Sequence, residues 1–264
     1  MKPAPFAYEA PRSVDAALAL LDEDAKVLAG GQSLVPMMNF RLARPATLVD
    51  INRVDALAYL RRRGGVLRIG ALTRHATVER SDVVARGWPL LRQAVRHVGH
   101  PQIRTRGTIG GSCAHADPTA ELPVALTALD ARFHVRSSAS ARVLDAAGFF
   151  VSYLETALRD DELLVEVEVP ALPAGARTGF AEHARTHGDW AIAGAAAVVA
   201  PEHVAIALLG AAATPLRAGD AEAALLAGAG PAEAARLAGA LVGDEWRAAL
   251  TTALVRRALE EAGA

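Results

Sequence analysis

Two short segments, Ala29-Gly30-Gly31-Gln32-Ser33 and Thr108-Ile109-Gly110-Gly111-Ser112, hold the residue types that grip phosphate. A diphosphate leaving water needs its charge hydrogen-bonded. Backbone N–H groups do this where the chain approaches closely, and glycine permits the approach because it has no Cβ. In the first segment Gly30 and Gly31 can take positive φ, while Gln32 and Ser33 add side-chain donors. Helix-permissive Leu34-Val35-Pro36-Met37-Met38 follows, so the loop is expected to end at a helix N-terminus, where anions are favoured. The second segment repeats the arrangement with two glycines and two hydroxyls. Either segment alone reads equally well as a tight structural turn. As a pair they favour one diphosphate held from both sides, and hence a bound dinucleotide.

Other phosphate loops fail on spacing. The nicotinamide-type fingerprint needs G-x-G-x-x-G opening a helix, which neither segment supplies. The loop of nucleotide triphosphatases needs Lys-Ser/Thr after its glycines, and that is absent too.

The elements that must position these segments follow from pattern. Ser13 can cap a helix with Val14, Ala17, Leu18 and Leu21 on one face. Lys26 to Ala29 reads as a short buried strand running into the first glycine segment. Further strands are expected at Thr47–Ile51 and Val66–Gly70. Thr73 is expected to cap a short helix ending near Ser81, and Trp88 to Val98 has helical spacing. Gly99, Pro101 and Gly107 are expected to break the chain before the second segment. Beyond it, Pro123–Leu129 reads as helix, and 132–136 and 165–169 alternate as strands do. The stretch after Pro170, with Pro173, Gly175 and Gly179, marks the expected domain boundary. Strands at 191–200 and 203–209 and helices at 221–226, 232–241 and 245–262 complete the chain. Strand pairs mixed with helices make this an α+β protein.

Composition narrows the function. With 264 residues and 52% hydrophobic content, much of it alanine, the chain is long enough for two domains with closely packed helices. A net charge of −1 offers no field for nucleic acid or an anionic membrane. Cys113 is the only cysteine, so no internal disulfide, four-cysteine cluster or cysteine-rich zinc site can form. Met1 to Pro11 carries three prolines and no continuous apolar stretch, which does not fit a signal peptide. No apolar run is long enough to span a membrane, so the expected location is cytoplasmic.

Extended by its neighbours, the pattern Ala29-Gly30-Gly31-Gln32-Ser33-Leu34-Val35-Pro36, with Thr108-Ile109-Gly110-Gly111-Ser112-Cys113-Ala114-His115-Ala116-Asp117-Pro118, closely resembles the FAD-binding medium subunit of molybdenum hydroxylases. The branch it resembles is the carbon monoxide dehydrogenase type, related to the flavin domain of xanthine dehydrogenase. Pro5-Phe6-Ala7-Tyr8, Gly99 to Gly107 and Gly188-Asp189-Trp190-Ala191-Ile192-Ala193-Gly194 carry the resemblance over nearly the whole chain. It implies an FAD-binding domain of the vanillyl-alcohol-oxidase/PCMH type at 1–172, with an N-terminal lobe at about 1–55. A smaller α+β C-terminal domain of the carbon monoxide dehydrogenase flavoprotein type would follow at 178–264. It also implies that Ala29, Gly30, Gly31, Gln32, Ser33 and Leu34 surround the FAD diphosphate, together with Thr108, Ile109, Gly110, Gly111 and Ser112. Asp117 and Glu121 would meet the sugar and adenosine side. Leu163 would lie near the flavin ring, and Trp190 would stand where the family places an aromatic against it. Some relatives carry a lysine shortly after the position of Phe180 that reaches the flavin; Ala181-Glu182-His183 has none.

Competing readings of single residues are weaker. Ser112, His115 and Asp117 lack the spacing and elbow of a hydrolase trio. His183 and His187 have the i, i+4 spacing of zinc ligands, but no third ligand follows and Gly188 interrupts a helix. His97 and His100 read as ordinary helix-end residues, and Arg61-Arg62-Arg63 as a solvated turn that can also dock a partner. Cys113 reads as a small residue packed beneath the second segment, with a redox thiol as the alternative.

The expected function is an FAD-binding electron-transfer subunit with no catalytic residue or metal ligand of its own. The molybdenum cofactor and the 2Fe–2S clusters would sit in a large molybdopterin-binding subunit and a small iron–sulfur subunit, assembled as a dimer of heterotrimers. FAD would pass electrons to an external acceptor. The alternative is a self-sufficient FAD-dependent oxidoreductase acting directly on a small organic substrate.

Overall fold

The computed structural model describes residues 2–264; Met1, with which the reading of the N-terminus begins, lies outside them. The first elements are β1 (Ala7–Glu9), α1 (Val14–Leu18), β2 (Ala25–Leu28), α2 (Leu34–Asn39) and β3 (Thr47–Asp50). Ser13 caps α1 through its side chain, which accepts from Ala16 N. β3 lies between β1 and β2, parallel to both. Ala17, Leu18, Ala25, Val49 and Ile51 form a small core beneath this sheet.

A second sheet contains β4 (Leu60–Arg63), β5 (Val66–Gly70), β6 (Arg132–Arg136), β7 (Ala141–Asp145) and, after the small hairpin β8 (Phe150–Ser152) and β9 (Glu155–Thr156), β10 (Leu163–Val169). Its order is β4-β5-β10-β6-β7, antiparallel throughout. The helices between β5 and β6 are α3 (His75–Arg80), α4 (Asp82–Gly87), α5 (Pro89–Val95), α6 (Pro101–Arg106), α7 (Ile109–His115) and α8 (Glu121–Ala128); α9 (Ala146–Phe149) follows β7. Leu67, Ile69, Phe133, Val135 and Val167 pack against Leu90, Leu91, Ile109, Leu122 and Leu126 in the main core. A bulge between Leu164 and Glu166 shifts the β10 register against β6. Around it Leu163 joins the small core and Leu164 the main one.

The last unit is an antiparallel sheet, β11 (Arg177–Ala184), β12 (Ala191–Ala200), β13 (His203–Leu209) and β14 (Leu216–Arg217), followed by α10 (Gly219–Leu226), α11 (Pro231–Gly239) and α12 (Glu245–Glu261). Both faces of β12 and β13 are buried. Ala195, Ala197, Ile206 and Leu208 face the helices, while Ala196, Val198, Ala205 and Ala207 join the main core. Small side chains set the spacing: a Cβ on Gly179 would overlap the Ala258 carbonyl oxygen of α12.

Several local expectations are corrected. Thr73 does not cap a helix; its hydroxyl donates to the Tyr59 carbonyl at 2.6 Å, and α3 starts at His75. Pro101 opens α6 at a first-turn position, where its missing N–H costs nothing, so the stretch before the second glycine segment is helical. Arg61 to Arg63 lie in β4, with Arg61 over the Tyr59 ring, and the turn is Gly64-Gly65. His183 lies in β11, which removes the helical spacing that paired it with His187.

Gly179→Val is expected to push α12 off β11 and lower stability by about 2–3 kcal/mol. Thermal unfolding should show this as a fall of roughly 5–10 °C in Tm.

Candidate functional site

Both glycine segments line one cleft of about 920 Å³, near the upper end of the roughly 300–1,000 Å³ typical of ligand sites. They meet by direct backbone approach. Gly30 is buried, and a Cβ on it would overlap the Arg106 carbonyl oxygen and stand 2.9 Å from Gly107 Cα. Gly31 has φ +72°, a conformation that disfavours other residues, and only this one of the two glycines takes positive φ.

The two segments are built differently. Among the described residues, no protein acceptor takes the N–H of Gly30, Gly31, Gln32, Ser33 or Leu34, so consecutive amides stand free at the cleft. The second segment is not a loop. Thr108 caps α7, its hydroxyl accepting from Gly111 N at 3.0 Å, and the glycines occupy the first helical turn. Ile109 N donates to Thr73 O, Gly110 N to Ala71 O and Ser112 N to Thr108 O. Its amides are therefore spent inside the protein. What it offers the cleft is a close surface and the Ser112 hydroxyl. Gly110 must be small because a Cβ there would stand 2.5 Å from Ala71 Cβ.

A polar chain that the sequence did not reveal clamps the segments together. Asn52 Nδ2 donates to the Ala29 carbonyl at 2.7 Å and to Asp50 Oδ1 at 2.6 Å. Arg74 donates to Asn52 Oδ1 at 2.6 Å and also to the Arg106 carbonyl, so it spans from one segment to the other. Tyr8 Oη donates to Asp50 Oδ2 at 2.6 Å. Burial alone would raise the Asp50 carboxyl, but the hydrogen bonds from Tyr8 and Asn52 outweigh it and hold the group below its ordinary range. Asn52 and Arg74 are surface-type residues with no motif around them, and only their partners' positions mark them.

Of the expected site residues, Ala29, Gly30, Gly31, Gln32, Ser33, Leu34, Thr108, Gly110, Gly111, Ser112, Asp117, Glu121, Leu163 and Trp190 all line the cleft. Ile109 does not; its side chain is buried in the main core. Gln32 turns its amide inward, Nε2 donating to the Gly30 carbonyl at 3.1 Å. Asp117 Oδ1 accepts from Thr119 N and Oγ1 at 2.8 and 2.7 Å. Trp190 is 76% exposed at the cleft mouth. Cys113 is fully buried and its thiol is pushed up by burial, which fits a packing role and disfavours the reactive thiolate. The hydrolase trio is not assembled, because Ser112 Oγ pairs with His75 Nε2 at 3.0 Å.

Two buried titratable groups face the cleft. Burial, countered only in part by the Thr108 backbone, lowers His75 from 6.5 to about 4. Burial, with Glu182 and Asp117 nearby, raises Glu121 to about 8, so Glu121 is largely a neutral acid at pH 7 and can donate a hydrogen bond. Burial also holds His115 below its ordinary range, despite the opposing pull of Asp117.

With this geometry in place, comparison identifies the family. A family described as "FAD binding domain in molybdopterin dehydrogenase" matches residues 4–172. The chain belongs to that family. It is 46% identical over 235 residues to the 6-hydroxypseudooxynicotine dehydrogenase complex subunit alpha of Paenarthrobacter nicotinovorans, covering 86% of this chain and 79% of that protein. Its fold matches a carbon monoxide dehydrogenase structure from Hydrogenophaga pseudoflava at TM-score 0.94 and 39% identity, over 100% of this chain and 99% of the other. Quinoline 2-oxidoreductase from Pseudomonas putida 86 matches at TM-score 0.91 and 34% identity, over 99% and 98%. This molybdopterin-dehydrogenase family member is a medium-type, FAD-binding oxidoreductase subunit, and its relatives are subunits of multi-subunit dehydrogenase complexes. Among the described residues no helix is long and apolar enough to cross a membrane.

The two buried groups predict opposite pH effects on folding. His75 has a folded pKa below its unfolded one, so its contribution is present above pH 6.5 and lost as pH falls toward 4. Relative to His75→Gln, the wild type should lose about 3 kcal/mol over that interval in urea titrations. Glu121 has a raised folded pKa, so its contribution is present below pH 4.5 and lost as pH rises through 8. Glu121→Gln should abolish that alkaline loss in the same titrations.

Proposed function

We propose that the chain carries FAD as an electron relay, receiving electrons from iron–sulfur clusters in a small partner subunit and passing them to an external acceptor. The run of free amides from Gly30 to Leu34, in one cleft with the Ser112 hydroxyl, carries this reading. Its donors match a diphosphate, and the small residues leave room for close approach. FAD supplies the redox chemistry; the protein binds it, orients it and limits its exposure to water.

In this reading the Thr108, Gly110 and Gly111 surface walls the diphosphate together with Ala29 and Gly31, and Ile109 supports that wall from the core. Asp117 and Glu121 meet the sugar and adenosine side, with Glu121 as a neutral donor. Leu163 and Trp190 bracket the flavin ring. The PCMH-type domain spans 1–172, with its N-terminal lobe at about 1–55, and the C-terminal domain at 178–264 closes over the cofactor. The substrate is oxidised at molybdenum in a large partner, and the complex is a cytoplasmic dimer of heterotrimers. The single cysteine supports placing the clusters in another chain, since it cannot hold one here.

Co-purification from native expression tests this. A yellow complex containing a large molybdenum protein and a small iron–sulfur protein is expected, by metal and flavin analysis. A stable isolated flavoenzyme that turns over an organic substrate would overturn the reading. Gly31→Val and Gly111→Val should each abolish FAD retention while leaving most of the far-UV circular dichroism intact; normal flavin content in either would refute the diphosphate role.

A further inference from the structure

The His75 imidazole sits against the second glycine segment, yet nothing in the binding scheme above uses it. It is buried, with Nε2 3.0 Å from Ser112 Oγ and Nδ1 without a hydrogen-bond partner among the described residues. We propose that His75 is a positioning residue: held as the Nε2–H tautomer, it donates to Ser112 Oγ and so directs the Ser112 hydroxyl proton into the cleft, onto a phosphate oxygen of the bound dinucleotide. The proposal rests on the reading of this cleft as the FAD site.

A hydroxyl has one proton, so Ser112 either donates to Nε2 or accepts from it. The other ring nitrogen decides which. Nδ1 faces Gly107: a Cβ built on that glycine would stand 2.7 Å from Nδ1 and 2.8 Å from Cε1, so a Cα–H of Gly107 points at the ring. A weak C–H donor suits a nitrogen lone pair, whereas an N–H there would confront that hydrogen, and Nδ1 makes no hydrogen bond among the described residues. Buried N–H groups without acceptors are rare for this energetic reason. The proton therefore belongs on Nε2. Protonation of both nitrogens is opposed by burial, and by Arg104 and Arg74, which together outweigh the Thr108 backbone, so the ring stays neutral near pH 7.

The Ser112 proton then has few destinations. A serine inside a helix commonly donates to the carbonyl four residues back. Among the described residues Ser112 Oγ makes no such bond to Thr108 O, and the hydroxyl's hydrogen bond is to His75. Ser112 lines the same cleft as the free amides of the first segment. With Nε2–H directed at its oxygen, its proton points toward the anion. The substitution that removes Gly107's hydrogen contact would disturb the same device, because any side chain there displaces the ring.

FAD affinity of the full chain, read by flavin fluorescence, tests the proposal. His75→Leu should weaken binding roughly tenfold, the scale of one misdirected hydrogen bond to a charged group. His75→Gln, whose amide N–H can donate to the same oxygen, should stay within about threefold. In a Ser112→Ala background His75→Leu should have no further effect, since nothing remains to be oriented. Additive losses would assign His75 a packing role and overturn the proposal. Independently of any ligand, 15N NMR of the wild-type chain should show His75 protonated at Nε2; protonation at Nδ1 would overturn it whatever the cleft binds. An Nε2–H signal with no FAD uptake by the wild type would instead overturn the cofactor reading, and with it the phosphate half of this proposal.

Discussion

The approach of Gly30 to the Arg106–Gly107 backbone is the constraint on which the site depends. It leaves no space for a Cβ, and it brings two chain segments that are distant in sequence into one cleft. Neither segment makes a site by itself. One supplies free amides in a loop that Gly31 turns through a positive φ. The other supplies a close-packed wall whose amides are already bonded within the protein. Their complementarity exists only while that contact holds.

Holding it is the task of residues remote from the glycine patterns. Asn52 grips the carbonyl of Ala29, and Arg74 ties Asn52 to the carbonyl of Arg106. Asp50 and Tyr8 brace Asn52 from the first sheet. The small parallel sheet thus does more than support the first loop. It fixes, through side chains at its C-terminal edge, the distance between the two halves of the cleft. Polar networks of this kind specify geometry strongly because a half-satisfied member in a partly buried position is costly.

The final sheet and helices are joined to the rest through a shared core. Alternate residues of β12 and β13 face opposite ways, one set toward α11 and α12 and the other toward the main core that also contains Leu91 and Leu126. Alanine and glycine make this double burial possible, since larger side chains would force the layers apart. The same unit supplies Trp190 at the cleft mouth and Glu182 near Glu121. The division expected near residues 172–178 falls between β10 and β11, and the packing across it is continuous.

Much of the fold was legible in the sequence because its signals are local. Ser13 announced a helix cap, the alternation at 132–136 a strand, and the apolar runs at 191–200 and 203–209 a buried strand pair. Proline and glycine misled at 99–107, where Pro101 starts a helix, and the glycines at 110–111 concealed one. Their small size answers neighbours in α7's surroundings rather than a loop's need for freedom. Arg61 to Arg63 form an edge strand because pairing with β5, invisible from composition, outweighed their polarity. By itself the sequence determined the α+β class, the two glycine segments and the exclusion of a cluster or disulfide, all properties of residue type and short-range order. Tertiary structure alone decided which amides remain free, which carboxyl is kept neutral and which histidine meets Ser112. Those depend on what lies across the cleft, and hydrogen bonding and burial are set by neighbours in space.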